Sequence, residues 1–526
     1  MKKIIPFSPI FFLPWFFFVL LFFSCKAPAR DADGKPLADS AVSRGKALAS
    51  VYCQGCHQLP DPAQLNKRSW QNGVLPAMAP RLGIFVHNGR RYPSYASDPY
   101  VGRGFYPSKP LLTDWEWQNI IDYYTGSAPD SLGGQPEHAA IRMDLSLFEA
   151  VRPENNGHLR PITCYVHVDT AGGRREVVAG ELFPGSLLWY DTALRRVDST
   201  PIFGGVVNMQ FAGDSAVACN IGNINPNNAF LGSLSKLRRG AHGKWVMDSL
   251  PFIRDLARPV QVTGTDLNGD GRPDWLVCEF GNQKGALSWF EQKGDGSYDR
   301  HVLRAQPGAI RAYVQDANGD GLPDVWALFA QGDEGIFLFI NKGQGRFEEQ
   351  RVLSFPPMYG SSYFELADMN KDGYPDIIYT CGDNGDYSPV FKPYHGVYVF
   401  LNDGRNHFTQ RYFYPINGCY KAVARDFDGD GNIDLAAIAY FADYKRHPEE
   451  GFVYLENTGD LHFQPFSLPE AAEGRWLTME AGDLDGDGRP DLLLGNFTMG
   501  PTLSKGSIDF KKGPTLLYLK NKGALK

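Results

Sequence analysis

Cysteine is scarce, eight residues in 526, too few for a disulfide scaffold, so each thiol has to be read from its neighbours. No basic excess exists either: Lys+Arg 52 against Asp+Glu 59 gives a formal charge of -7. That removes the electrostatic footprint of a nucleic-acid binder. Only one Cys-x-x-Cys pair occurs, Cys53 and Cys56, which excludes a four-thiolate zinc site. What is abundant is apolar, 43% hydrophobic and 13% aromatic, and this excludes wholesale disorder and a collagen-like or coiled-coil chain. At roughly 150 residues per domain the length suggests three or four domains.

Met1-Lys2-Lys3 precedes an almost unbroken apolar run, Ile4 to Ser24, punctuated by Pro6, Pro9 and Pro14. This is a targeting segment outside the fold, and the prolines argue against a transmembrane helix. Its end, Phe22-Phe23-Ser24-Cys25, resembles a bacterial lipoprotein signal. The resemblance implies a signal peptide over 1–24, lipidation of Cys25 and a tether over 25–37, leaving an exported chain anchored in the cell envelope. An ordinary secretory signal or a retained anchor is the alternative.

Cys53-Gln54-Gly55-Cys56-His57 is the pattern of c-type haem attachment: two thiols spaced to add to two vinyl groups, and an imidazole beside them to ligate iron. A helix is expected over Ser43 to Tyr52, with Gly45 at a close helix contact. A second is announced by the capping box Thr113-Asp114-Trp115-Glu116 and by Trp117, Ile120, Ile121 and Tyr124 at helical spacing. Residues 38–127 thus resemble a small monohaem cytochrome c. The resemblance implies an all-α domain with one covalent haem c and His57 as proximal ligand. Between residues 26 and 126 the only Met is Met78 and the only further His is His87. Met78, in the Pro-punctuated segment Gly73 to Pro80, is the preferred sixth ligand because a thioether suits an electron carrier; His87 is the alternative. Residues 128–144 have linker composition.

From residue 145 onward one phrase recurs. Asp266-Leu267-Asn268-Gly269-Asp270-Gly271-Arg272-Pro273-Asp274 returns at Asp316, Asp368, Asp426 and Asp483, at intervals of 50, 52, 58 and 57 residues, periods that mean propeller blades or a solenoid. Each copy sets oxygen donors at positions 1, 3, 5 and 9: Asp266, Asn268, Asp270 and Asp274; Asp316, Asn318, Asp320 and Asp324; Asp368, Asn370, Asp372 and Asp376; Asp426, Asp428, Asp430 and Asp434; Asp483, Asp485, Asp487 and Asp491. Position 7 (Arg272, Leu322, Tyr374, Asn432, Arg489) adds a backbone carbonyl, and Gly at position 6 allows the sharp turn, so about five Ca²⁺ sites are expected. The Glu that an EF-hand needs at position 12 is missing, and β-prone runs such as Val325-Trp326-Ala327-Leu328 follow instead of helices.

The phrase resembles the FG-GAP or VCBS-type repeat of integrin-like β-propellers. Two degenerate copies precede the five, at Val177 to Tyr190 and Val217 to Asn223, so residues 145–526 are expected to form an all-β propeller of seven blades. Eight blades, or two sheets of a different kind, are the alternative. The strand completing the last blade is expected from Pro161 to Val166.

Charge supports this division. Residues 26–126 carry 12 Lys+Arg and 8 Asp+Glu, so the acidic balance of the chain lies in the repeat array and is largely metal site. Cys164, Cys219, Cys278, Cys381 and Cys419 sit in or beside strands, as buried thiols by default, with a disulfide among them the alternative. The reading as a whole is a membrane-tethered electron carrier whose propeller binds a protein or glycan partner through long aromatic loops, 381–395, 441–450 and 497–513. A redox partner protein is implied and no catalytic constellation is visible. Two alternatives remain: an oxidoreductase whose propeller oxidises a substrate and feeds its own haem, and an adhesion or scaffold protein with a haem sensor.

Overall fold

The computed structural model describes residues 37–153, 160–170, 173–240, 243–385, 387–504 and 506–523. Cys25 and the targeting segment lie outside them. No helix among the described residues is long and apolar enough to cross a membrane.

Each repeat folds as an antiparallel sheet, and seven such sheets form a ring. In blade 4, for example, Ala309–Val314 lines the central channel, followed outward by Val325–Phe329, Gly335–Asn341 and Phe347–Ser354. The two middle strands are buried on both faces by the neighbouring blades, which is why they read as continuous apolar runs without alternation. The outer strand reads Phe-Glu-Glu-Gln-Arg-Val-Leu-Ser and is mostly exposed, its charges protecting an open edge. Blade 2 departs from the pattern, because its outer edge is split between Trp245–Met247 and Ile253–Leu256, both paired to Gly232–Arg239.

Packing between blades accounts for the ring. Each of the seven interfaces has its own apolar cluster, such as Leu267, Trp289, Phe329 and Phe337 between blades 3 and 4, or Phe364, Tyr379 and Trp326 between blades 4 and 5. A propeller is therefore one domain however long it runs, and the expectation of three or four domains from length fails for that reason.

Closure comes from Phe148–Val151, which pairs with Leu516–Asn521 in the register Phe148↔Asn521 to Val151↔Tyr518. Pro161 to Val166 was expected in this place. That segment instead enters Thr163–Asp169, the inner strand of blade 1, where Val166 and Val168 fill the interface with blade 7 against Leu484, Leu493 and Leu516.

The expected separate all-α cytochrome domain is not formed. Residues 37–127 hold two long helices, Leu37–Tyr52 and Asp114–Ser127, short helical turns, and a two-stranded hairpin pairing Val86–His87 with Arg90–Arg91. They cap the propeller and share its core: Met358 is buried in the same cluster as Trp70, Trp117 and Tyr124, with Val390 and Tyr394 against it. Tyr394 Oη donates to the Gln64 carbonyl (3.0 Å), and Asn228 Nδ2 donates to Asp98 (2.8 Å). Within the cap the long helices cross at Gly45, where a Cβ would come within 1.9 Å of the Asn119 carbonyl oxygen. The capping box at Thr113 and Glu116 starts the second helix.

Candidate functional site

The Asp loops join the first and second strands of blades 3 to 7 and share one hydrogen-bond scheme. The first Asp gathers loop amides: Asp266 accepts from Gly269 and Gly271, Asp316 from Gly319 and Gly321, Asp368 from Asp372 and Gly373, Asp426 from Gly429 and Gly431, Asp483 from Gly486 and Gly488. The ninth, fully buried in every copy, clamps the loop to the third strand. Asp434, for instance, accepts from Phe427 N (3.1 Å), Asn457 N (2.8 Å) and Tyr454 Oη (2.8 Å). Asp274, Asp324, Asp376 and Asp491 repeat the clamp on Gln292, Asn341, Asn402 and Asn521. Position-7 amides (Arg272, Leu322, Tyr374, Asn432, Arg489) donate to the carboxylate at position 5. Gly at position 6 has φ between +83° and +89° throughout, a conformation that glycine takes up without the steric cost of a Cβ.

Two of these loops bring three carboxylates together within 4.8 Å: Asp426, Asp428 and Asp434, and Asp483, Asp485 and Asp491. In the other three, position 3 is Asn268, Asn318 or Asn370, whose amide turns to the Asp at position 5. Burial, helped by neighbouring carboxylates, pushes Asp376 up to about 6 and Asp434 up to about 7. Hard oxygen donors held this close and repelling one another fit a Ca²⁺-sized cation, which would reverse that shift.

On the opposite face, the cap roofs the mouth of the central channel and leaves one continuous cavity of about 1870 Å³. Its cap side is lined by Cys53, Cys56, His57, Trp70, Met78 and Trp117. Cys56 is exposed, and burial, with Cys56 beside it, pushes the Cys53 thiol up to about 11, away from the thiolate. His57 Nδ1 lies 2.9 Å from the Gln58 carbonyl, which leaves Nε2 available. Met78 faces the cavity. His87 does not line it: its ring is buried, with Nε2 2.9 Å from Gln118 Oε1 and Nδ1 3.9 Å from Asp114. Two thiols, an imidazole and a thioether around one aromatic-walled space fit a covalently held macrocycle.

The family described as FG-GAP-like repeat matches residues 266–327 and 316–379. The repeats are FG-GAP-like. Cartilage acidic protein 1 of Homo sapiens is 26% identical over 380 residues, covering 62% of this chain and 54% of that protein, so the chain spans about half the length of this relative. Integrin alpha-PS5 of Drosophila melanogaster is 34% identical over 165 residues, 26% of this chain and 15% of the integrin. Among solved structures, BBS1N in complex with ARL6DN aligns at 10% identity with a TM-score of 0.41, over 73% of this chain and 100% of that one.

The long loops of the FG-GAP-like propeller do lie on the capped face, but they are not an open aromatic platform. Tyr440, Phe441, Tyr444 and Phe497 are buried, with Arg475 stacked 3.8 Å from the Tyr440 ring, and Tyr394 holds the cap. Only Tyr387 among these aromatics is strongly exposed. The most exposed apolar side chains among the propeller loops of this face belong to blades 1 and 2: Phe203, 97% exposed, Phe183 and Leu231. These three residues belong to no recurring motif, so no pattern in the chain marks them. The five cysteines of the propeller are buried free thiols.

Two buried glutamates away from the Asp loops also tie the propeller's stability to pH. Burial raises Glu181 and Glu450 to about 7, although Thr163 and Asn417 donate hydrogen bonds to them. A carboxyl whose folded pKa exceeds its unfolded value near 4.5 contributes stability that is complete below pH ~4.5 and lost as pH rises through ~7. Glu450→Gln is therefore expected to melt higher than the parent at pH 8 and lower at pH 4.5. The gap between the two limits is up to about 3 kcal/mol. Paired thermal melts in identical calcium buffer measure it, and a pH-independent difference would contradict the assignment.

Proposed function

We propose that this chain is an exported electron carrier, lipid-anchored through Cys25. In this reading one haem c is attached to Cys53 and Cys56, and the FG-GAP-like propeller is a calcium-stabilised platform for a partner protein or glycan. The observation that carries the reading is the shared cavity, where the attachment motif and Met78 face one space under the cap. The group would supply one-electron chemistry; the chain's own part is to anchor it and keep it from solvent. Cys53 and Cys56 would hold it covalently, His57 and Met78 would offer the iron an imidazole and a thioether, and Trp70, Trp117 and the propeller mouth would keep water from it. Similarity to an integrin alpha chain and to cartilage acidic protein 1 supports the platform. Its contact surface in this reading is the exposed group Phe183, Phe203 and Leu231, which a redox partner would cover.

The deciding measurement is intact mass after denaturation, on protein made where haem is loaded covalently. A gain of one haem is expected, abolished in Cys53→Ser/Cys56→Ser; an unmodified parent chain would overturn the reading.

A further inference from the structure

Every inner strand carries a bulge near its start, and the residue just after it reaches the central channel at the same height in all seven blades. These residues are Tyr165, Asn208, Gln261, Arg311, Tyr363, Lys421 and Thr478. The ring holds two cations and no anion. Arg311 and Lys421 sit on either side of Tyr363, 5.2 and 4.7 Å from its ring centre, and Arg311 also lies 4.8 Å from that of Tyr313.

The carboxylates of the channel stand two residues farther along their strands, about 6–7 Å closer to the Asp loops, and they are committed. Glu365 accepts from Arg425 (2.7 Å) and from Ala424 N (3.0 Å), while Glu480 is 2.7 Å from His167 Nδ1. Among the described residues Lys421 has no ion-pair or hydrogen-bond partner, and Arg311 Nε is buried without one. Burial, with Arg311 nearby and Arg425 behind it, lowers the Lys421 ammonium to about 8 despite Glu480 and Glu365. A propeller needs no such pair for packing, because polar neutral side chains fill the same height in other blades. Two like charges held together in a roofed cavity are costly until an anion joins them.

We propose that Arg311 and Lys421 form a carboxylate-binding site inside the channel, with the hydroxyls of Tyr313 and Tyr363 beside it. A guanidinium fork and an ammonium are the donor set that a planar carboxylate takes up. The carboxylate has two sources, a free small acid or a propionate of the haem, since the ring and the attachment cysteines open on the same cavity. The site itself does not rest on the haem reading.

Calorimetric titration of the calcium-saturated, full-length Cys53→Ser/Cys56→Ser chain with succinate, at ionic strength fixed by chloride, tests it. Saturable binding is expected, weakened at least tenfold by Lys421→Met and by Arg311→Met, with unchanged circular dichroism and melting temperature in both. The same titration on the haem-loaded chain separates the sources. Retained binding assigns a free acid; lost binding together with a midpoint potential shifted by Lys421→Met assigns the propionate. No saturable binding in either form, or binding that Lys421→Met leaves intact (an adventitious ion only), overturns the proposal. A chain that carries no haem fails the functional reading alone, and the titration on the Cys-free variant still stands.

Discussion

Asp434→Ala should cost the propeller at least about 3 kcal/mol, a loss that only Asp491→Ala, which strands an equivalent set of two amides and a tyrosine hydroxyl, should match among the ninth-position aspartates. The two oxygens of Asp434 satisfy the Phe427 and Asn457 amides and the Tyr454 hydroxyl, all in a fully buried position. Truncation strands those donors, and each buried orphan costs about 1–3 kcal/mol. Under the proposed calcium occupancy a second term adds to this: a site saturated at a hundred times its dissociation constant would contribute about 2.7 kcal/mol. Asp434→Asn keeps the shape but gives up the charge, so it should lose most of the calcium term while sparing part of the clamp. Melting with and without chelator separates the two contributions. A parent chain whose melting temperature ignores chelation would remove the calcium sites while leaving the clamp argument standing.

Replacing Met78 should change the haem most. In the haem-loaded chain, Met78→Ala is expected to abolish the near-infrared sulfur-to-iron band of the ferric form. It should also lower the potential on the order of a hundred millivolts, within the ~0.8 V that axial ligands span. His87→Ala should leave band and potential in place, because that imidazole is spent on Gln118 and does not face the cavity. The reverse pattern would exchange the two assignments.

How much of this could be read from the chain alone depended on the range of the contact. The Asp loops were plain in the sequence because the donors lie within nine residues, and the central strands because burial on both faces makes them uniformly apolar. The cap was misread as a free-standing all-α domain because Met358, Val390 and Tyr394, which complete its core, lie more than two hundred residues beyond it in the chain. The closing strand failed differently: two short β-prone segments competed, and only their place in the ring chose Phe148–Val151 over Pro161 to Val166. The channel ring has a simple register in the sequence. Gln261, Arg311, Tyr363, Lys421 and Thr478 each stand five residues before the first Asp of their repeat, and a count backward from the loops lines them up.

The pairing of Phe148–Val151 with Leu516–Asn521 also sets an order of assembly. As the chain emerges, the outer strand of blade 7 appears hundreds of residues before the strand it must bind. The cap, earlier still, appears before any of the mouth it will roof. Blades 1 to 6 can each pair internally as they arrive, but the ring stays open until the last strand is made. A chain cut short before Leu516 would keep its cap residues, its Cys pair and all five Asp loops, yet present two unpaired sheet edges. Quality control that recognises exposed strand edges would thus discriminate complete from truncated copies without reading either functional site.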